Sequence, residues 1–128
     1  MDACEEVVVG KAAVAALNVP ISELKAELFK ALAHPARIRV LELLADGERS
    51  VGEMQPLVGI EPPHLSQQLG VLRHAGLVTT RKQGSSVFYA IRDPELVKLL
   101  AAAKRVLINS LADTQDLLAD LRAAVRSK

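Results

Sequence analysis

Proline and glycine divide this chain into short segments, and these breaks limit the elements that the chain can form. The breaks fall at His34-Pro35, Asp46-Gly47, Gly59, Pro62-Pro63, Gly76 and Asp93-Pro94. Proline suits a first helical turn because it lacks an N–H that would be unpaired there, and glycine suits the position just after a helix. The segments before residue 76 are therefore predicted to be short helices.

Apolar residues at three- and four-residue spacing predict where these helices run. The first helix is predicted from Glu23 to about Ala33, with the hydroxyl of Ser22 as its N-terminal cap. The second follows the His34-Pro35 break, where His34 is predicted to cap it. Ser50 and Glu53 form a capping box, which opens a short third helix over roughly residues 51–58.

The fourth helix and the segment after it have different patterns. Leu65, Leu69 and Leu72 fall on one face of the helix and are predicted to face inward. Residues 77–80 and 87–91 are β-prone and predict a hairpin, with residues 83–86 as its turn and Gly84 at positive φ. Two short helices followed by a hairpin describe a helix-turn-helix with a wing, in which the fourth helix lies in the DNA major groove.

A long helix is predicted from Pro94 to about Arg126, with a possible break at Asp113-Thr114. Its apolar stripe is longer than a small winged domain can bury, so we predict that it pairs with a second copy and with the first helix of each subunit. The alternative is packing within one subunit alone. The predicted dimer interface comprises Leu24, Leu28, Leu96, Leu100, Ala103, Leu107 and Leu111.

Charge is unevenly distributed in a chain that is nearly neutral overall, with 16 basic and 15 acidic residues among 128. No acidic residue occurs between Glu61 and Asp93, and the basic residues there are Arg73, Arg81, Lys82 and Arg92. Attraction to phosphate supplies most non-specific affinity for nucleic acid, and a carboxylate on the contact face would oppose it. Aromatic residues are few, which disfavours single-strand and RNA binding by base stacking. The stretch predicts a surface for double-stranded DNA.

Three motifs resemble the ArsR/SmtB family of winged helix-turn-helix repressors. They are AELFKALAHPARIRVLELL at the opening of the domain, LSQQLGVLRHAGLV at the recognition helix and RKQGSSVFYAIRD at the wing. The resemblance covers about residues 23–108 and implies a homodimer on an imperfectly palindromic operator. The fold class is then mainly α with a small β-hairpin. The implied organisation is an N-terminal arm or short helix over 1–21, a winged domain over 22–93 and a dimerisation helix over 94–128.

The resemblance and the helical geometry together select the DNA-contacting residues. Gln67 is the best base reader, because its amide both donates to and accepts from adenine. Ser66 is a better candidate for phosphate, and His64 suits a base or a phosphate. Arg81 and Lys82 on the wing are predicted to contact phosphate because no nearby carboxylate in the sequence neutralises them. The full predicted set is His64, Ser66, Gln67, Gln68, Arg73, Arg81, Lys82, Gln83, Ser85 and Ser86.

A signal-sensing site is less evident. At the family's terminal-helix metal site, the resemblance places Asp93, Glu95, Val106 and Asn109, and valine cannot bind a metal. We therefore predict no metal site and no cofactor, and the inducer stays unknown. The only cysteine, Cys4, is a candidate for redox sensing or for a metal contact.

Other function classes fit the sequence less well than DNA binding does. The sequence has no catalytic motif and no stretch long enough to span a bilayer, so we predict a cytoplasmic protein that is neither an enzyme nor a membrane protein. A winged helix used for protein contact is the remaining alternative.

Overall fold

The computed structural model describes residues 19–126, which form five helices and a three-stranded antiparallel sheet. In chain order these are α1 (Ile21–Leu32), α2 (Pro35–Leu44), β1 (Arg49–Ser50), α3 (Val51–Val58), α4 (Pro62–His74), β2 (Val78–Gln83), β3 (Ser86–Ile91) and α5 (Glu95–Arg126). The predicted class, mainly α with a hairpin after a helix-turn-helix, is confirmed. Cys4 and most of the N-terminal arm predicted over 1–21 lie outside the described residues.

Side chains and prolines begin the helices, mostly where the sequence predicted. The Nδ1 atom of His34 accepts a hydrogen bond from the Ala36 N–H at 3.0 Å, as expected for a cap of α2. Ser50 and Glu53 form the predicted capping box of α3, with both hydrogen bonds at 3.1 Å. The cap predicted at Ser22 is wrong. Helix α1 begins at Ile21, two residues before the predicted Glu23, because the carbonyl of extended Pro20 already accepts the first helical N–H groups.

The sheet has the order β1-β3-β2, so the hairpin strand β3 is central. Strand β1 was not predicted, because two residues are too few to show a strand period. Strand β2 extends beyond the predicted residues 77–80 as far as Gln83, which pairs with Ser86. The turn is therefore only Gly84 and Ser85, with Gly84 at φ 62°, a left-handed conformation that glycine adopts without strain.

Helix α4 is held by the core of the domain. The largest fully buried side chains are Val40 and Leu41 of α2, Met54 of α3, and Leu65, Leu69 and Leu72 of α4. The inward orientation predicted for the three leucines is confirmed. The C-terminal end of α4 is closed by hydrogen bonds from the Gly76 N–H to the Arg73 carbonyl and from the Leu77 N–H to the Leu72 carbonyl. The C-terminal end and one face of this helix are thus fixed.

Helix α5 is continuous over its 32 residues, without the break considered at Asp113-Thr114. The Thr114 hydroxyl donates to the Ser110 carbonyl at 2.9 Å, so it is satisfied within the helix. Leu96, in the first turns, is 6% exposed and belongs to the core. From Ala103 to Val125 every side chain is exposed in the isolated subunit. Only the beginning of α5 therefore packs on its own domain.

Candidate nucleic-acid interface

Helix α4 presents opposite faces to the core and to solvent. The face opposite the buried leucines carries exposed Pro63, His64, Gln67 and His74, with exposed Ser66 beside them. Among the described residues, the side chains of His64, Ser66 and Gln67 have no hydrogen-bond partner. These three predicted contact residues are therefore available to a ligand, on a helix whose other face is immobilised.

Gln68 differs from its neighbours on α4. Its side chain is half-buried, and its amide oxygen is enclosed without a hydrogen-bond partner in the described part of the chain. The amide therefore points toward the domain rather than away from it. Gln67 and Gln68 are chemically identical neighbours in different environments, which makes the pair useful for experiment.

The wing is the hairpin of β2 and β3, and it carries most of the remaining predicted residues. Lys82, Gln83, Ser85 and Ser86 are all exposed near its turn. No ion pair within residues 19–126 involves the Lys82 ammonium. Arg73, on α4, is also exposed and has no ion-pair partner in that range. These cations are free to meet an anion from solution.

The sequence interpretation of Arg81 needs correction, because it assumed that no nearby carboxylate neutralises this side chain. Its Nε and Nη2 atoms donate to the two carboxylate oxygens of Glu48, at 2.8 and 2.6 Å. This hydrogen bonding lowers the pKa of the Glu48 carboxyl and raises that of the Arg81 guanidinium. Glu48 lies 33 residues earlier in the chain, so no local sequence signal reveals the pair. The positive charge of the wing is smaller than its sequence suggests.

A second carboxylate lies at the edge of this surface. Glu61 is the N-cap residue of α4, is exposed and makes no side-chain cap hydrogen bond. The carboxylate-free surface therefore begins at the first turn of α4 and continues through the wing, with Glu48 as the acidic group that reaches into it.

The predicted dimer residues lie in three environments. The prediction that Leu96 lies at the dimer interface is wrong, because this side chain is buried within its own subunit. Leu100 is partly buried against the same core. Leu24 and Leu28 of α1 line an open groove between α1 and α4. Ala103, Leu107 and Leu111 are exposed, and the two leucines each expose 63% of their surface.

Two of the residues aligned with the family's terminal-helix metal site, Asp93 and Glu95, have hydrogen-bond partners within the subunit. The Asp93 carboxylate accepts the Glu95 N–H at 2.9 Å, at the start of α5. Glu95 accepts a hydrogen bond from the Lys98 ammonium at 2.9 Å, which raises the pKa of Lys98. Residues 19–126 contain no group of three or more histidine, cysteine, aspartate or glutamate side chains placed to share a metal. No helix in this range has the length and apolarity to cross a bilayer.

Comparison with known proteins gives consistent matches. Residues 32–81 match the family model of a helix-turn-helix domain. The chain is 54% identical over 105 residues to the uncharacterized HTH-type transcriptional regulator Rv0081 of Mycobacterium tuberculosis, covering 81% of this chain and 92% of the relative. It is 48% identical over 75 residues to the biofilm growth-associated repressor of Agrobacterium fabrum, covering 59% of this chain and 64% of the relative.

Solved structures agree with this comparison. The crystal structure of M. tuberculosis Rv0081 superimposes with a TM-score of 0.68 at 55% identity, covering 73% of this chain and 95% of that one. The solution structure of a homodimeric winged helix-turn-helix domain from Mycobacterium bovis, a possible ArsR-family transcriptional regulator, superimposes with a TM-score of 0.64. The identity there is 32%, over 71% of this chain and 84% of that one.

Proposed function

Since the chain belongs to the ArsR/SmtB family of winged helix-turn-helix transcriptional regulators, we propose that it is a homodimeric repressor of a palindromic operator in double-stranded DNA. One observation carries the proposal. The exposed face of α4 is polar and free of carboxylates, while its other face is anchored by three buried leucines. A rigid helix with this free face suits insertion into the major groove, which is wide enough for one helix.

Gln67 is the base reader in this proposal, and His64 lies one turn nearer the start of α4. Residues near the beginning of a recognition helix approach base edges most closely. The Gln67 amide offers one donor and one acceptor, which match the exposed edge of adenine. Ser66 contacts phosphate. Gln68 makes no base contact, because its amide is turned toward the domain.

Phosphate contacts come from the wing and from the flank of α4. Lys82, Gln83 and the serines Ser85 and Ser86 are exposed at the hairpin and reach the backbone beside the groove that holds α4. Arg73 adds a cation at the end of α4. These contacts set register and affinity, whereas they carry little sequence information.

Dimerisation uses the exposed part of α5. With 32 residues the helix is about 48 Å long, at 1.5 Å per residue, and most of it extends beyond its own domain. Exposed apolar residues recur on one face of it at steps of four, seven, three and four residues, as in a helix-pairing stripe. This stripe comprises Leu107, Leu111, Leu118, Leu121 and Val125. A two-fold axis through paired α5 helices places two copies of α4 in successive major grooves, about 34 Å apart.

The proposal assigns the protein to the cytoplasm, where the operator is, and gives it no enzymatic activity, cofactor or membrane partner. Its inducer is left open. Cys4 stays a candidate for redox or metal sensing. Metal analysis of the wild type and of Cys4→Ser, both purified without chelator, tests a role in metal binding separately from DNA binding.

Gel-shift and fluorescence-anisotropy titrations with the DNA upstream of the chain's own coding region test the proposal. We expect a sequence-dependent complex of two subunits per palindrome, weakened steeply by salt. Reduced transcription from this promoter in a purified system identifies a repressor, and increased transcription an activator. Absence of a shift at low salt would refute DNA binding and favour a protein-interaction module.

A charge-matched pair of variants locates the contact surface. Lys82→Ala should weaken binding to operator and random duplexes alike and flatten the salt dependence, because one phosphate contact is lost. Lys25→Ala removes the same charge from exposed α1 and should leave the salt dependence unchanged. Equal effects of the two substitutions would contradict the placement of DNA at the wing.

A further inference from the structure

An ion pair crosses the sheet from one edge strand to the other. Glu48 immediately precedes β1, Arg81 is on β2, and β3 lies between these strands. Phe88 of β3 is in register with Ser50 on one side and with Arg81 on the other. The guanidinium carbon of Arg81 lies 4.5 Å from the centre of the Phe88 ring. The ion pair therefore passes over this ring and joins the wing to the start of the helix-turn-helix.

All three guanidinium nitrogens of Arg81 have acceptors. Two donate to Glu48, and Nη1 donates to the Gln83 amide oxygen at 2.7 Å. The hydrogen bonds from Arg81 lower the pKa of the Glu48 carboxyl. Lys82 is the next residue in β2, and its ammonium has neither a hydrogen bond nor an ion pair with any residue in the described range. Of the two adjacent cations of the wing, Arg81 is thus fully hydrogen-bonded within the subunit and Lys82 is unpaired among the described residues.

We infer that Glu48 is a positioning residue for the wing, which holds Arg81 as a structural clamp and leaves Lys82 to contact the phosphate. The inference rests on the proposed DNA-binding function. A phosphate that approached Arg81 would have to displace a bidentate carboxylate, and it would meet the negative charge of Glu48. At Lys82 a phosphate displaces only water and counterions. The clamp fixes the position of the hairpin relative to α3 and α4. It therefore also fixes the point at which Lys82 meets the DNA backbone.

Salt dependence of DNA binding separates a clamp from a phosphate contact. Each neutralised phosphate contributes about −0.9 to the slope of log K against log salt concentration on duplex DNA. The double variant Glu48→Gln/Arg81→Gln removes the pair at constant net charge, and we expect its slope to match the wild type. Lys82→Ala should flatten the slope by about 0.9. If the double variant flattens the salt slope as much as Lys82→Ala does, then Arg81 binds phosphate and the inference is overturned.

Releasing Arg81 gives the complementary test. Glu48→Gln should steepen the slope by about 0.9, since the freed guanidinium gains a phosphate, and should lower the ratio of operator to random-duplex affinity. Glu42→Gln is the matched control, because it removes an exposed carboxylate from a looser pair, 4.0 Å from Arg39 on α2. If Glu48→Gln behaves like Glu42→Gln, then Glu48 does not position the wing.

Reversal of the pair is the most direct test. Glu48→Arg/Arg81→Glu keeps an ion pair over Phe88 but places a carboxylate at the position of Arg81. A clamp predicts that the operator preference lost in Arg81→Glu returns in the reversed pair. Failure of the reversed pair to recover any preference would mean that a cation is required at position 81, and would contradict the clamp.

Nuclear magnetic resonance of the free protein judges the clamp without DNA. The Nε–H of Arg81 should give a slowly exchanging signal in the wild type, and this signal should disappear in Glu48→Gln. If the wild type bound no DNA, the proposed function would be refuted, yet the Arg81 Nε–H signal would still report on the clamp. A rapidly exchanging Nε–H in the wild type would refute the clamp itself.

Discussion

Replacement of Gln67 by alanine tests the central assignment of the interface. The side chain is exposed and has no hydrogen-bond partner among residues 19–126, so its removal breaks no contact within the subunit. The loss therefore falls on the DNA complex. A well-formed amide–adenine contact contributes about 1–3 kcal/mol of discrimination. At 1.4 kcal/mol per tenfold, the dissociation constant of the operator complex should rise about 5- to 140-fold.

Gln68→Ala is the matched control for this measurement. It removes the same amide from the next residue, but that amide is turned toward the domain. The assay is fluorescence anisotropy on the operator and on duplexes with each base pair changed in turn, with thermal unfolding measured for both variants. Gln67→Ala should remove the preference at one base pair in each half-site, whereas Gln68→Ala should preserve the ranking of all duplexes. Equal loss of affinity for operator and random DNA in Gln67→Ala would refute base reading by this residue.

Three further predictions concern assembly and stability. Substituting aspartate for exposed Leu107 and Leu111 should keep the helical circular dichroism, give monomers in light scattering and weaken operator binding roughly 100-fold, because two-site attachment is lost; a dimer that survives would contradict pairing through α5. Leu69→Ala, at a side chain that is 1% exposed, should lower the free energy of unfolding in urea by about 2–5 kcal/mol. The clamp should stabilise the fold above the ordinary glutamate pKa of 4.5, because Glu48 has a lowered pKa when folded. The difference in melting temperature between the wild type and Glu48→Gln should therefore close as the pH falls below 4.5, and a difference that persists would contradict this pKa shift.

Local patterns accounted for most of the fold, because the interactions that set helix boundaries span only a few residues. The capping box at Ser50 and Glu53 and the His34 cap each join residues at most three apart. The leucine spacing of α4 identified its buried face. The cap prediction at Ser22 failed because a proline two residues earlier is also a favourable place for a helix to start. The carbonyl of Pro20 accepts the first helical N–H groups, so Ser22 lies inside the helix.

The candidate site was predicted less completely than the fold. The sequence identified the exposed residues of α4, since helical geometry follows from spacing alone. It did not reveal the inward turn of Gln68 or the burial of Leu96, because a side chain's environment depends on elements far away in the chain. Contacts with DNA and with a second subunit stay predictions.

The order of the elements, the two faces of the reader helix and the lack of acidic residues from Pro62 to Arg92 were determined by the sequence alone, since they depend on local geometry and composition. Only the tertiary structure decided which of the wing's charges are available. Folding brings Glu48 across the sheet to Arg81 and leaves Lys82 unopposed. Coulomb attraction depends on distance in space, and separation along the chain does not predict that distance.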